Sequence, residues 1–524
     1  MEKRSSRLHN SIINIGTTGI VYVFTMAMAM LVRSFLNRIL GQTYVGLNGV
    51  LTSVITSFSI ADLGVDSVFV FLMYKPLAQR DSQEITNLMA LFKRVYVIIG
   101  TIFLTVGIVA IPFLEYLIGK QAMGIPHIRL IYFLFLLNTG LSYFFAAFRI
   151  ILNADQKFYV IARITFLVTM AINVLQMIFL LILKSFIMYA LLLVISTVLI
   201  NVIVGIVANQ RYRLSERRLN RRAGKVKLHF KNKDTFGILI RNTIGGLSNK
   251  LGGIVVYASD NILLANFETL KVVGMYSNYI LITQGISSLL SKVISSITAS
   301  VGNLGAEDDK ERNYSVYITL TFIINILTFL VLVPLLICFS VFIKLWVGKQ
   351  NVLPTLPVIL ISINCILQLI RFPALTFIDA FGLQWKQKWK SVVEALVNIV
   401  VSLFLLWFFK LGLVGVLLGT LCSNLLVVNW YEPYVVLKEV GQKRYKEYIS
   451  QVTPFILLFI IGILFSNYIL ESGWLGFSVI KTAFLVIVVE VIQLLLVVIL
   501  FRKNSSMVYL IRVLQTYLNK KRSN

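Results

Sequence analysis

Long apolar stretches separated by short polar ones dominate the chain. A run of about 20 apolar residues crosses a bilayer as a helix. Such runs recur at 11–37, 44–72, 88–113, 128–151, 159–183, 187–210, 236–264, 271–300, 316–342, 353–379, 389–409, 412–436, 452–470 and 476–501. The pattern predicts an all-α polytopic membrane protein with about 14 transmembrane helices. The intervening segments are short, and the longest polar one, Arg211–Asp234, reads RYRLSERRLNRRAGKVKLHFKNKD.

Most of these spans read as apolar all round, and four do not. The second carries Asn48, Thr52, Thr56, Ser59, Asp62 and Asp66 at spacings of 4, 4, 3, 3 and 4, which is one helical face. The eighth carries Gln284, Ser288, Ser291, Ser295 and Thr298 at spacings of 4, 3, 4 and 3. The seventh holds Arg241, Asn242, Ser248, Asn249, Lys250, Ser259 and Asp260, and the first holds Asn14, Thr17, Thr18, Thr25, Arg33 and Asn37. Polar groups at bilayer depth turn towards other helices or water. Spans 1, 2, 7 and 8 are therefore expected to line a wet central cavity. Arg33, Arg241, Lys250, Lys292, Gln284 and Ser288 are its candidate substrate-binding residues. Asp62, Asp66 and Asp260 are the candidates for coupling to H+ or Na+, because two partly desolvated acids at i and i+4 rarely ionise together. Each has a structural alternative. Ser and Thr stripes also serve helix packing, Arg33 and Arg241 also suit an interface, and Asp62 also suits a static bridge to Lys292 or Lys250.

The charge changes the picture in one respect. A formal +27 on a soluble protein would suggest nucleic acid, but here the basic residues mark topology. The tails and alternate loops (73–87, 152–158, 211–235, 301–315, 380–388, 437–451) hold about thirty Lys and Arg against about seven in the other loops. That asymmetry places both termini of a multi-pass membrane protein in the cytoplasm. Cys338, Cys365 and Cys422 lie in apolar segments without paired spacing, and His9, His127 and His229 are far apart. No disulfide framework, metal site or resident cofactor is expected.

A weak internal repeat organises the spans. Tyr44–Leu51 (YVGLNGVL) resembles Val272–Tyr279 (VVGMYSNY), and PLAQRD at Pro76–Asp81 resembles NLGAED further on. Gly46 to Gly274 and Asp81 to Asp309 share one offset, 228 (274 − 46 and 309 − 81). Six spans in each unit imply parallel repeats about a pseudo-two-fold axis along the membrane normal. The expected organisation is an N-lobe at 1–210, a basic cytoplasmic linker at 211–235, a C-lobe at 236–436, two added helices at 437–501 and a cytoplasmic amphipathic basic tail at 502–524.

GQTYVGLNGVLTSVITSFSIADLGVDSVFVFLMYKPLAQRD (Gly41–Asp81), LNADQKFYVIAR (Leu152–Arg163) and GLVGVLLGTLCSNLLVVNWYEP (Gly412–Pro433) resemble segments of Wzx-type lipid-linked oligosaccharide flippases. These form the polysaccharide transporter branch of the MOP superfamily, which also holds MATE exporters and lipid II flippases. The resemblance implies a V-shaped pair of six-helix lobes that alternates between inward- and outward-open states. It also implies movement of polyprenyl-pyrophosphate-linked sugar repeats to the outer leaflet, for capsule, exopolysaccharide or another surface polysaccharide. Membrane lipids and the lipid-linked oligosaccharide are then the partners, with a polysaccharide polymerase and glycosyltransferases as candidate protein partners. Family cavities are arginine-lined, whereas here span 2 carries aspartates and span 8 carries Lys292. Two alternatives stand beside a non-enzymatic flippase. One is a MATE-like cation-coupled drug or metabolite antiporter. The other is a membrane polysaccharide polymerase or ligase, against which the longest external loop, LEYLIGKQAMGIPH, offers one acid, Glu115, and no acid–base set.

Overall fold

The computed structural model describes residues 7–59, 65–212, 252–253, 256, 258–306, 309–440, 444–472 and 478–522. The chain is all-α and polytopic. Its first half forms α1 (Arg7–Leu40), α2 (Gln42–Phe58), α3 (Val65–Gln79), α4 (Ser82–Val109), α5 (Ile128–Ala154), α6 (Phe158–Leu183) and α7 (Phe186–Tyr212). After a further helical stretch at 258–267 come α8 (Leu270–Ala306), α9 (Lys310–Val347), α10 (Thr355–Leu369), α11 (Phe372–Ala380), α12 (Lys390–Trp407) and α13 (Leu413–Ser423). The chain ends with α14 (Asn429–Val440), α15 (Tyr445–Glu471), α16 (Val479–Phe501) and α17 (Ser505–Arg522). Among the described residues, 11 helical segments are long and apolar enough to cross a membrane. The 37-residue α8 adds a rod of about 55 Å at 1.5 Å per residue, well beyond a hydrocarbon core of about 30 Å. The second expected span falls on two helices, α2 ending at Phe58 and α3 beginning at Val65.

The repeat seen in the sequence has a local cause. Asp81 caps α4 by accepting from the amides of Gln83 and Glu84, both at 3.0 Å. Asp309, its partner at the same offset, caps α9 by accepting from Arg312 N at 3.0 Å. A carboxylate there satisfies amides the helix leaves open and opposes the positive end of its dipole. A similar triplet follows each of these helices, Gly119-Lys120-Gln121 after α4 and Gly348-Lys349-Gln350 after α9, at an offset of 229 (348 − 119). Gly119 (φ 82) and Gly348 (φ 99) both stop a helix there in a conformation that only glycine adopts readily.

The chain divides into two compact units, Met1–Ser277 with Gln384–Val416, and Asn278–Leu383 with Leu417–Asn524. In the first, α5 packs extensively on α4 and α7, and α6 on α1. Small residues set the closeness: a Cβ on Gly107 would overlap Leu136, and one on Gly140 would overlap Leu104. The Tyr132 hydroxyl crosses the same seam to Gly107 O at 2.8 Å. Thr197 donates to Asn138 Oδ1 at 2.6 Å between α7 and α5. In the second unit α9 is central, packed by α15, α16 and α10. Pro334 lies inside α9 and removes the amide that would serve Leu330 O. One turn away, Gln493 of α16 donates to Phe329 O at 2.8 Å. At one end of this unit Tyr317, Phe377, Val436 and Val440 form an apolar core. Arg371 and the fully buried Glu432 form a two-pronged ion pair beside it, Nη2–Oε1 2.7 Å and Nε–Oε2 3.0 Å.

Candidate functional site

The polar interior of the first unit is built by α12, whose span reads in the sequence as apolar all round. Ser391, Glu394, Asn398 and Ser402 follow at spacings of 3, 4 and 4 and are all buried. Lys390 is buried too, its Nζ 3.3 Å from Glu394 Oε2. The opposite face of the helix, Val392, Val393, Leu396, Val400, Phe404 and Trp407, is exposed, as a lipid-facing surface must be. The stripe was legible as polar residues at helical spacing. The exposed Val, Leu and Phe outweigh it in any average of hydropathy, and that hid it.

The segment before α8 covers this stripe. Ser259 donates to Asn398 Oδ1 at 3.2 Å. Gly252 lies so close to Ser391 that a Cβ would overlap it. Asp260, next along, is buried and accepts from the Tyr276 hydroxyl at 3.0 Å. Asn261 donates to Ser53 Oγ of α2 at 2.8 Å. On the other side of α2, Thr52 and Thr56 are exposed and give their hydroxyls to the carbonyls of Asn48 and Thr52, each at 2.7 Å.

Where α2 meets the first turns of α8, the contacts are reciprocal. A Cβ on Gly46 would overlap Leu270 O, and a Cβ on Gly274 would stand 2.5 Å from Gln42 O. Gly49 faces Ser277 in the same manner. Gln42 and Leu270, Gly46 and Gly274, and Gly49 and Ser277 are all separated by 228 residues. When position i of one repeat touches its equivalent in the other, the contact sits on their pseudo-two-fold axis. The same end is tied further. Gln121 Oε1 accepts from Leu270 N at 2.8 Å, Asn266 Nδ2 donates to Tyr116 O at 3.0 Å, and a Cβ on Gly119 would overlap Ala265 O. The closure leaves polar atoms unserved: both amide atoms of Gln42 and Ser277 Oγ are buried without a hydrogen-bond partner.

The candidate residues read from the sequence fall in both units. Asp62, Arg241 and Lys250 lie outside the described residues, and so does the side chain of Asp66 on α3. Arg33 is half-buried on α1, within electrostatic reach of the Tyr189 hydroxyl. Asp260 lies in the first unit as well, on the segment that contacts the α12 stripe. Gln284, Ser288 and Lys292 recur every fourth residue on α8 within the second unit, Gln284 exposed and the other two half-buried. Arg371 of the second unit is ion-paired to Glu432. Among the described residues, no three His, Cys, Asp or Glu converge as a metal site.

Comparison with known proteins gives a consistent picture. A solved structure of the lipid II flippase MurJ in an inward closed conformation matches with a TM-score of 0.60 at 16% identity, covering 93% of this chain and 99% of that one. An inward-facing multidrug resistance MATE family transporter of the MOP superfamily matches with a TM-score of 0.58 at 13% identity, covering 83% of this chain and 99% of that one. At such identities the likeness is one of fold. Among curated proteins no match is found. The family described as "Polysaccharide biosynthesis protein" matches residues 11–301, more than half of the chain. The chain belongs to this polysaccharide biosynthesis protein family and shares the fold of these two solved transporters.

Proposed function

We propose that this protein flips polyprenyl-pyrophosphate-linked oligosaccharide repeat units across the bacterial cytoplasmic membrane by alternating access. Family membership supplies the polysaccharide context, and the fold shared with a lipid II flippase supplies a transporter of lipid-linked cargo as precedent. The observation that carries the mechanism is the reciprocal crossing of α2 and α8 at Gly46 and Gly274. The Lys/Arg asymmetry of the loops puts that crossing at the external end. It is then an outer seal, and the cargo is taken up from the cytoplasmic side. Buried polar groups without partners each cost about 1–3 kcal/mol. Gln42 and Ser277 therefore keep the seal shallow, so that a modest gain in the outward state can part it.

The pyrophosphate headgroup is anionic, and the basic side chains read from the sequence, Arg33, Arg241, Lys250 and Lys292, suit it. In a low-dielectric vestibule a lysine–phosphate pair is far stronger than at a surface. The test is flipping of a fluorescent polyprenyl-pyrophosphate oligosaccharide in proteoliposomes. Lys250→Ala and Lys292→Ala should each lower the rate at least tenfold with insertion unchanged, and parental rates in both would remove the cationic cavity from the mechanism. The fold shared with a MATE transporter favours a second reading, cation-coupled export of a small molecule. It predicts uptake of a fluorescent organic cation into the same proteoliposomes and no flipping. An H+ or Na+ gradient is the proposed energy source, acting through Asp62, Asp66 and Asp260.

A further inference from the structure

Glu490 is a carboxyl group on the last membrane span that neither the fold nor the transport cycle uses. It lies eleven residues from each end of α16 (490 − 479 and 501 − 490) and is the only ionisable residue between Lys481 and Arg502. α16 packs chiefly on α9. Val489 joins Val333 and Ile337 there, Gln493 donates to Phe329 O at 2.8 Å, and Phe501 lies edge-on to Phe322. Glu490 stands at the margin of that packed face, half-buried. Among the described residues no hydrogen bond or ion pair reaches it.

An ionised carboxylate at bilayer depth is costly. A carboxylic acid that keeps its proton is both a donor and an acceptor, and lipid tails offer it neither partner. Its neighbours on α16 form a seam. Ile480, Ala483, Ile487, Glu490, Leu494 and Val498 follow at spacings of 3, 4, 3, 4 and 4, and all but Glu490 are exposed. This is close to the heptad spacing of a helix that packs on another, with one polar residue to fix the register. The small Ala483 lets a second helix approach closely.

We propose that this seam is a contact between two copies of the chain, paired through Glu490 about a two-fold axis along the membrane normal. Copies inserted with one topology hold Glu490 at one depth, and a two-fold axis sets a residue against its own equivalent. A carboxylic acid is its own complement there, each hydroxyl donating to the other's carbonyl oxygen. A different protein would need a donor at that same depth, which a second copy supplies automatically. Lipid tails are as apolar as Leu and Ile, so the apolar positions fit the contact and the carboxyl pair drives it. The inference does not rest on the cargo.

The test is subunit counting of the fluorescently labelled full-length protein in liposomes, by single-molecule photobleaching over a range of protein densities. The parent should show a density-dependent dimer. Glu490→Leu should raise the dimer dissociation constant about threefold or more, with insertion unchanged. Glu490→Gln keeps a donor and an acceptor, so it should dimerise as the parent does, which separates the pairing from a folding defect. Disulfide mapping locates the seam. Ile487→Cys should cross-link between copies on oxidation, and Ile492→Cys, exposed on the far side of the helix, should not. Monomers at every density overturn the proposal and point to a donor-bearing helix of another protein as the occupant. Glu490→Leu dimers as stable as the parent's, or cross-links through Ile492→Cys and not Ile487→Cys, overturn it as well.

Discussion

Single residues in this protein carry charge where charge is costly, and the structure shows how that cost is met. Glu432 is fully buried and the Arg371 side chain is 15% exposed, and their two parallel hydrogen bonds satisfy both carboxylate oxygens. Such a pair adds little net stability over an apolar substitute, but breaking it strands a buried charge. Arg371→Ala or Glu432→Ala should therefore destabilise the second unit by about 3–5 kcal/mol. Arg371→Lys should recover only part of this, since an ammonium cannot reproduce the planar fork. Thermal unfolding of the purified variants checks both statements. If Arg371→Lys is as stable as the parent, the fork geometry is not what the site uses. Neighbouring Tyr317, edge-on to Phe377 and stacked on Tyr448 at ring-centroid distances of 5.1 and 6.0 Å, is packed to hold the pair dry.

At the scale of elements, glycines decide how closely helices approach. Gly46 and Gly274 allow backbone to meet backbone, and any side chain at either position must push α2 and α8 apart. Gly46→Leu should open this crossing and expose Ser277, which is 8% exposed in the closed arrangement. A Ser277→Cys reporter should react with a membrane-impermeant maleimide several-fold faster in the Gly46→Leu background. Equal labelling in both would mean that the crossing does not seal the outer end. The repeat was legible in the sequence because its marks answer local demands: aspartates that cap α4 and α9, and glycines at a close approach. The polar stripe of α12 was equally local, at a spacing of three and four, but a lipid-facing row of Val, Leu and Phe masked it. What no local pattern carries is the partner across the chain. Ser259 meets Asn398 139 residues away, and Asn261 meets Ser53 across 208. The expected polar face from Asn48 to Asp66 runs past the end of α2 at Phe58, Asp66 falls on α3 (Val65–Gln79), and Asp62 lies outside the described residues. Which basic side chains of other spans face these residues is a matter of tertiary contacts, which spacing cannot supply.

For the molecule as a whole, alternating access requires that the two repeats part where they now touch. Gly49 and Ser277 offer a way to forbid it. A Cβ on Gly49 would stand 3.6 Å from Ser277 Cβ, within the 3.5–4.5 Å separation typical of a disulfide. The native cysteines, Cys338, Cys365 and Cys422, are all free and all belong to the second unit, so they leave the first unit clear for an introduced pair. The double variant Gly49→Cys/Ser277→Cys should cross-link on mild oxidation. Trypsin has many sites in the basic segment 211–235, which carries Arg211, Arg213, Arg217, Arg218, Arg221 and Arg222 before its lysines. Cleavage there separates the two repeats in sequence, so the cross-linked halves should run together without reductant and apart with it. Flipping by the oxidised protein should fall to background and return on reduction, while either single cysteine variant keeps its activity under oxidant. A cross-linked protein that flips at the parental rate would show that the crossing stays closed throughout the cycle. The moving parts would then have to be sought elsewhere than around this axis.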